Sequence, residues 1–400
     1  MSAEINIYGP ICRGTWEKEF LPYLQEEFPN YKFNLTSKCS DKLELAEAIT
    51  SGIKFDMLLD VAAGELREDF MPANLATPMN DMMQKHGIDP SKFQEGFLDA
   101  VTIDGDIYLL PYSNSNYVMY YNKSLFDRFG VEYPWNGMTW DEAIELANKI
   151  TRNEDGTAYI GLWMSTEHYL RVNQFSQGFV DPNTTTATLN NDNFRTIFQK
   201  LFYENSRNPV MQARAKEKFF GHSDFNRDYV IAMYVYTTGW IRTYETSLPP
   251  EWGAVSVPVF EKGGPGVQTY AKYTGLTSTS QNPDAVMQVI KYLTSDEFQT
   301  MRTRQGEMTV LADKQIQDQY FADDDRFDDE TRKQLVEAVS FNRFAPSRPF
   351  HQFDEVVIEG AFAQDVIPEI VRGNMDVNTA LQQAEEIANA DLKAEAEKVQ

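Results

Sequence analysis

The chain has 400 residues, 42% of them hydrophobic and 13% aromatic, a content that supports packed cores and excludes an intrinsically disordered protein. Its 36 Lys and Arg against 60 Asp and Glu give 36 − 60 = −24, a charge that repels phosphate backbones and anionic membranes and argues against nucleic acid as a partner. That length exceeds one comfortable core and predicts two or three domains, and no apolar run is long enough for a membrane span.

Cys12 and Cys39 are the only cysteines, too few for a disulfide scaffold or a four-cysteine zinc site. If they follow adjacent strands of one sheet, a bridge is open to them; two separate, partly buried thiols are the ordinary alternative. No secretory leader opens the chain, because Met1-Ser2-Ala3 leads straight into an alternating strand. A cytoplasmic protein and one whose export segment has been removed both fit that start.

Residues 5–8 read as the first strand, and a loop over 9–14 follows. Thr15 is placed to cap a helix whose apolar side is Trp16, Phe20, Leu24 and Phe28. After a second strand over 31–35, Asp41-Lys42-Leu43-Glu44 has capping-box spacing ahead of Leu45, Ala48 and Ile49, and Gly52 is the stop. Residues 55–61 make a third strand, apolar almost throughout, as parallel strands covered on both faces are. Alternating strand and helix predict a doubly wound α/β unit, whose ligands sit beyond the carboxyl ends of the strands, here 11–16, 37–41 and 60–65.

In the stretch 106–126, an extended run ends at Pro111, small polar residues fill 113–116, and a β-branched and aromatic run covers 117–121. Asn122 is placed to cap a helix that Gly130 ends. The two runs read either as a chain crossing from one lobe to another or as an edge hairpin inside one domain. Thr139-Trp140-Asp141-Glu142 is a full capping box, with Trp140, Ile144, Ala147 and Ile150 facing inward. Strands are predicted over 158–163, 229–236 and 254–259, and an amphipathic helix over 193–203. Residues 270–279 resemble a second crossing; Asn282-Pro283 starts a helix with Val286, Ile290 and Leu293 inward, and Ser295 caps another. The end, 353–399, is helical. The aspartates of 323–329 lack EF-hand spacing and its closing Glu, and read as a solvated helix start.

Catalytic signatures are sparse. None of His86, His168, His222 and His351 stands at i, i+4 from another histidine, as a zincin-like site requires, and no nucleophile elbow, P-loop or G-x-G-x-x-G occurs. Nothing local pairs Cys12 with a histidine. Carboxylates are abundant enough that a glycosidase pair is disfavoured only by the lack of a supporting motif. No catalytic residue, metal or cofactor is therefore expected. Trp16, Trp163 and Trp240 fall at strand–loop boundaries; each reads first as core, but at one end of the sheets the three would make stacking faces for sugar rings.

Four stretches together resemble the extracellular solute-binding proteins of ABC importers, in the carbohydrate-binding class to which maltodextrin-binding protein belongs. They are Lys54-Phe55-Asp56-Met57-Leu58-Leu59-Asp60; 108–112 with Tyr121-Asn122-Lys123-Ser124-Leu125-Phe126 and Thr139-Trp140-Asp141-Glu142; 269–298; and 370–381. The resemblance implies a two-lobed periplasmic-binding-protein-like α/β fold. One lobe would hold 1–112 and 274–325, the other 113–273 and 326–400, joined by three hinge crossings that close on a ligand between them. It implies a non-enzymatic, monomeric receptor that captures a carbohydrate, in the first place an oligosaccharide, and hands it to permease subunits. Its place would be the extracellular face of the membrane or the periplasm, often as a lipoprotein whose removed leader accounts for the bare start. Carried over by position, Asp60 and Asp41 look like hydroxyl-binding residues, and Arg13 and Trp16 lie in a ligand-facing loop. Trp240 looks like the stacking aromatic after a Gly, and Lys272 and Tyr273 lie at the return crossing. Arg348, Phe350 and His351 precede the last long helix, and Asn114 and Trp163 complete the set. Arg13, Arg171, Lys272 and Arg348 would together suit an acidic sugar. A non-sugar ligand and a glycoside-active enzyme are the other readings.

Overall fold

The computed structural model describes every residue except Met1, Pro182, 244–247, Gln352 and Gln400. Its contacts divide the chain into two units, Met1–Asn114 with Tyr270–Asp323 and Ser115–Thr269 with Asp324–Gln400, so the chain passes from one to the other three times. The breaks expected after 112, 273 and 325 stand beside observed breaks after 114, 269 and 323.

The strands are β1 (Ala3–Gly9), β2 (Tyr31–Ser37), β3 (Met57–Val61), the small pair β4 (Thr102–Ile103) and β5 (Asp106–Ile107), β6 (Leu110–Asn114), β7 (Tyr117–Asn122), β8 (Arg152–Glu154), β9 (Thr157–Met164), β10 (Ile231–Thr237), β11 (Trp252–Ser256) and β12 (Ala271–Leu276). In the first unit they form a sheet in the order β2-β1-β3-β12-β6. β1 lies parallel to β2 and β3, with Ile5 and Ile7 fully buried, whereas β12 is antiparallel to both β3 and β6. The sheet is therefore mixed. Pro111 does not stop the extended run: it lies inside β6, the edge strand, where a missing N–H is tolerated.

Two helix starts differ from expectation. The run from Trp16 to Phe28 is two helices, Arg13–Glu19 and Leu21–Glu27, because Pro22 has no N–H for the carbonyl one turn back. Its cap is Cys12, not Thr15. Asp41 does not open a helix either. It ends the single turn Lys38–Asp41, Lys42 takes a left-handed φ of 56°, and the next helix, Leu45–Thr50, starts without a side-chain cap. Asn122 precedes the helix Lys123–Phe129 without capping it through its side chain, while Gly130 ends that helix at φ 64°.

The second unit carries the sheet β11-β7-β10-β9-β8, in which β9 and β10 are parallel and β7 is antiparallel to β10 and β11. Thr139 and Glu142 complete both hydrogen bonds of the capping box, and Trp140, Ile144, Ala147 and Ile150 are buried beneath the helix Trp140–Ile150. That helix rests directly on β9: a Cβ on Gly161 would come within 2.1 Å of the Ala147 carbonyl oxygen. The predicted helix over 193–203 passes from α-helix (Asp192–Ile197) into π-helix (Phe198–Glu204), and the C-terminal region consists of Val356–Val366, Ile367–Val371 and Val377–Val399.

Cys12 and Cys39 form a disulfide, with Cα atoms 4.9 Å apart, so the free-thiol alternative is set aside. The reason is topological: the two loops leave hydrogen-bonded neighbours, β1 and β2, at the same end. A bridge across 27 positions restricts the unfolded chain by about 3.5 kcal/mol in the chain-entropy account. Cys39→Ser, or reductant, should lower the urea midpoint accordingly; an unchanged midpoint would show that the bridge adds no stability.

Candidate functional site

In the first unit, the register around Tyr273 sets the geometry. On one side of β12, Tyr273 pairs with Val61 and Thr274 with Leu59, which leaves Asp60 as the extra residue of β3. On the other, Lys272 pairs with Ser113 and Tyr273 with Pro111, which leaves Tyr112 as the extra residue of β6. Bulges re-aim side chains. Here the two extra residues meet, the Tyr112 hydroxyl donating to Asp60 Oδ1 at 2.7 Å. Asp60 adopts φ 67°, in the left-handed region, a strained state for a residue other than glycine.

Burial raises the Asp60 carboxyl above its ordinary value, opposed by the charge of Lys272 and the hydrogen bond from Tyr112. Burial alone would lower the Lys272 ammonium, but Asp60, Tyr270 and Glu65 overcome it and hold the group above its ordinary value. Glu65 is itself raised by burial, although it accepts from the Ala62 N–H at 2.6 Å. Lys272 makes no direct ion pair among the described residues. Asn114, at the end of β6, is buried with neither amide atom hydrogen-bonded, an unusual condition for a buried polar group.

The remaining first-unit candidates make contacts within the protein. Arg13 donates to both carboxylate oxygens of Asp41, at 2.7 and 2.9 Å, and the pair is exposed. The Ser37 N–H, and then Arg13, hold the Asp41 carboxyl below its ordinary value. The pair braces the loops that the disulfide joins. Trp16 is 3% exposed, its ring parallel to that of Phe20 and edge-on to Phe33. Tyr273 is 1% exposed, and its hydroxyl donates to the Phe97 carbonyl at 2.9 Å. The ligand-facing roles expected for Trp16 and Tyr273 are corrected to core roles, because no ring face is left open.

The second unit corrects three more. Trp163 is buried against Phe202, Phe219 and Phe220. Trp240 is 4% exposed, enclosed by Tyr120, Phe225, Tyr234 and Tyr236. Arg348 is buried in an ion pair with Asp354 and donates to the Arg171 carbonyl, with Phe179 and Phe350 against its guanidinium. His351 is half-buried; its backbone N–H donates to Asp354 Oδ2 at 2.9 Å, and burial lowers its imidazole. Arg171 is engaged by Glu355 and Glu359.

What sequence reasoning missed is a group of rings at the carboxyl ends of β9 and β10. Tyr236 has the His222 ring 4.6 Å away and the His168 ring 5.1 Å away. Burial, then the charges of Arg171 and His222, lower His168 to about 4 from 6.5. Burial lowers the His222 imidazole as well. The available signal was the terminal position of Tyr236 in its strand; nothing in the spacing joined it to either histidine.

Residues 13–300 match the family described as "Bacterial extracellular solute-binding protein". An arabinooligosaccharide-binding protein of Halalkalibacterium halodurans is 26% identical over 255 residues, 60% of this chain and 55% of that one. A binding protein of Brucella abortus is 30% identical over 139 residues, 34% of this chain and 32% of its own length. The matched region thus spans between about a third and about half of these curated relatives. Among solved structures, a sugar transporter of Rhizobium etli in an open conformation superposes with a TM-score of 0.76 at 20% identity, covering 97% of this chain and 99% of that one. The mixed α/β fold is that of periplasmic solute-binding proteins.

The low His168 value has a consequence for stability. On acidification the unfolded chain takes this proton near 6.5, while the native state holds out until about 4. The unfolded state therefore binds more protons in that interval, and stability falls as the pH drops through it. His168→Gln should flatten that part of the urea-midpoint profile; an unchanged slope would place the titration elsewhere.

Proposed function

The chain belongs to the bacterial extracellular solute-binding proteins, and on that footing we propose that it captures a neutral carbohydrate, in oligomeric form, for the permease of an ABC importer. Asp60 carries the reading. A half-buried carboxylate held in a strained backbone state, with a phenol and an ammonium beside it, suits a hydroxyl group that donates to one and accepts from the other. Of the four cations expected to favour an acidic ligand, Arg13, Arg171 and Arg348 are engaged by protein carboxylates. Their charge is spent, which favours a neutral ligand. Family members and structural neighbours are binding proteins, and capture without turnover is the corresponding proposal. The Cys12–Cys39 disulfide supports an oxidising compartment, the periplasm or the outer face of the membrane. No helix among the described residues is long and apolar enough to cross a membrane.

Lys272 favours a second reading, an anionic sugar or sugar phosphate, because its ammonium lacks a direct carboxylate partner among the described residues.

Thermal and urea unfolding with arabinotriose, maltotriose, glucuronic acid and sn-glycerol 3-phosphate separates the two. A neutral oligosaccharide at a hundred times its dissociation constant should add about 2.7 kcal/mol. Stabilisation by the anions alone would establish the second reading; stabilisation by none of the four would overturn the carbohydrate reading, and product formation would overturn capture without turnover. Asp60→Asn removes a charge that burial disfavours, so the fold should persist while affinity falls between about tenfold and a hundredfold, the loss of a charge-assisted hydrogen bond. Calorimetric titration reads that loss, and unchanged affinity would remove Asp60 from the site.

A further inference from the structure

Tyr112 is the extra residue of β6 and Asp60 that of β3, one on each side of Tyr273. The Tyr112 ring is buried and fixed by its neighbours. Phe20 meets it edge-on at 5.7 Å, and Phe20 in turn lies parallel to Trp16 at 6.3 Å. The Arg302 guanidinium, held by Glu19 and Glu307, lies 5.2 Å from the Phe20 ring. Gln299 Nε2 donates to the Tyr112 carbonyl at 2.7 Å, which anchors the backbone of the bulge. A phenol packed in this way has one place for its proton. Asp60 Oδ1, at 2.7 Å, is the sole hydrogen-bond partner of the hydroxyl among the described residues. Burial, reinforced by Asp60 and Glu307, raises the phenol well above its ordinary value, so it stays a donor.

Asp60 is thereby left asymmetric. Oδ1 is taken, and Oδ2 has no hydrogen bond among the described residues. The residue is half-buried at φ 67°, a state that persists only where surrounding contacts over-determine it. Charged and polar groups from four elements bear on it. Lys272 on β12 and the Tyr112 hydroxyl on β6 favour the ionised carboxyl. Burial opposes it first, then Glu307, after the helix Asp296–Arg304, and Glu19, on the helix Arg13–Glu19. Glu65, beyond β3, acts on Lys272. Of the two favourable groups only Tyr112 is in direct contact, so it alone sets which oxygen is free.

We propose that Tyr112 is a positioning residue for ligand capture: its hydroxyl holds Oδ1 of Asp60 and leaves Oδ2 as the acceptor for a hydroxyl of the ligand. This deepens the carbohydrate reading and rests on Asp60 being a ligand-binding residue. A side chain in the core then decides how well the carboxylate receives the ligand, and at which pH it stops doing so.

The test is calorimetric titration of the full chain with arabinotriose and maltotriose, repeated across the pH range in which circular dichroism shows the fold intact. Tyr112→Phe keeps the ring and removes the hydroxyl, and should weaken binding about tenfold, the scale of one hydrogen bond to a charged group. It should also move the loss of affinity on acidification to higher pH. The Tyr112 hydrogen bond holds the Asp60 carboxyl down against burial, and a carboxyl freed of it takes its proton sooner. A role in packing alone would lower affinity equally at every pH. In an Asp60→Asn background Tyr112→Phe should cost nothing further, the signature of two groups acting as one. Tyr31→Phe, which removes a hydroxyl bound to Gln288 in the same unit, should leave binding unchanged. If Tyr112→Phe does not fold, a fluorinated tyrosine at Tyr112, a stronger donor of nearly the same shape, decides instead: the loss of affinity should move to lower pH. An unmoved pH profile in whichever of these two chains folds would overturn this inference and leave the carbohydrate reading standing. Unchanged affinity in Asp60→Asn would overturn the inference through its premise, and a wild-type chain that binds neither sugar would overturn both.

Discussion

The pair of bulges flanking Tyr273 is the constraint from which the first unit's chemistry follows. β12 enters its sheet antiparallel between β3 and β6, and Tyr273 spans two residues on each neighbour. The cost is local: Asp60 is driven into the left-handed region, and ladder bonds are lost on both sides. The result is that a carboxylate and a phenol from different strands are held at 2.7 Å, beside an ammonium contributed by β12 itself. The same register buries Tyr273, whose hydroxyl is fastened to the Phe97 carbonyl, so the pivot cannot also be a ligand contact.

This pairing is made over a long stretch of chain. Thr274 donates to the Leu58 carbonyl across 216 positions, so the first sheet is incomplete until the chain has passed through the second unit and returned. Loop-closure entropy rises only slowly with length, which makes such an insertion tolerable for stability. It is costly for speed, because non-local strand pairing slows folding. The disulfide, by contrast, acts over 27 positions at the loops after β1 and β2, where Arg13, Ser37, Ser40 and Asp41 also bind one another.

Electrostatics in this acidic chain is largely a matter of pairing. Arg302 is buried between Glu19 and Glu307, and Glu307 also accepts from Ser113. Arg348 and Asp354 are buried together. Breaking one partner of such pairs strands a charge, so they specify geometry more than they add stability. Their importance for function is indirect: cations that looked available to an anionic ligand are already committed, and Lys272 stands apart from them.

Local order was legible in the residues. The capping box at Thr139, the stop at Gly130, the buried stripe of Trp140, Ile144, Ala147 and Ile150, and the apolar third strand all depend on neighbours a few positions away. So does the α/β class, which follows from the order of such elements. By itself the sequence determined those elements, the class they build and, through four motifs in the right order, the family. Only the tertiary structure decided that these aromatics are core, because burial of Trp16, Trp163 and Trp240 is set by partners brought in from other elements. It likewise decided that Cys12 meets Cys39, that Asp60 meets Tyr112, and that His168 and His222 flank Tyr236. Strand register and chain crossing bring those residues together, and neither is written in the spacing of any single segment.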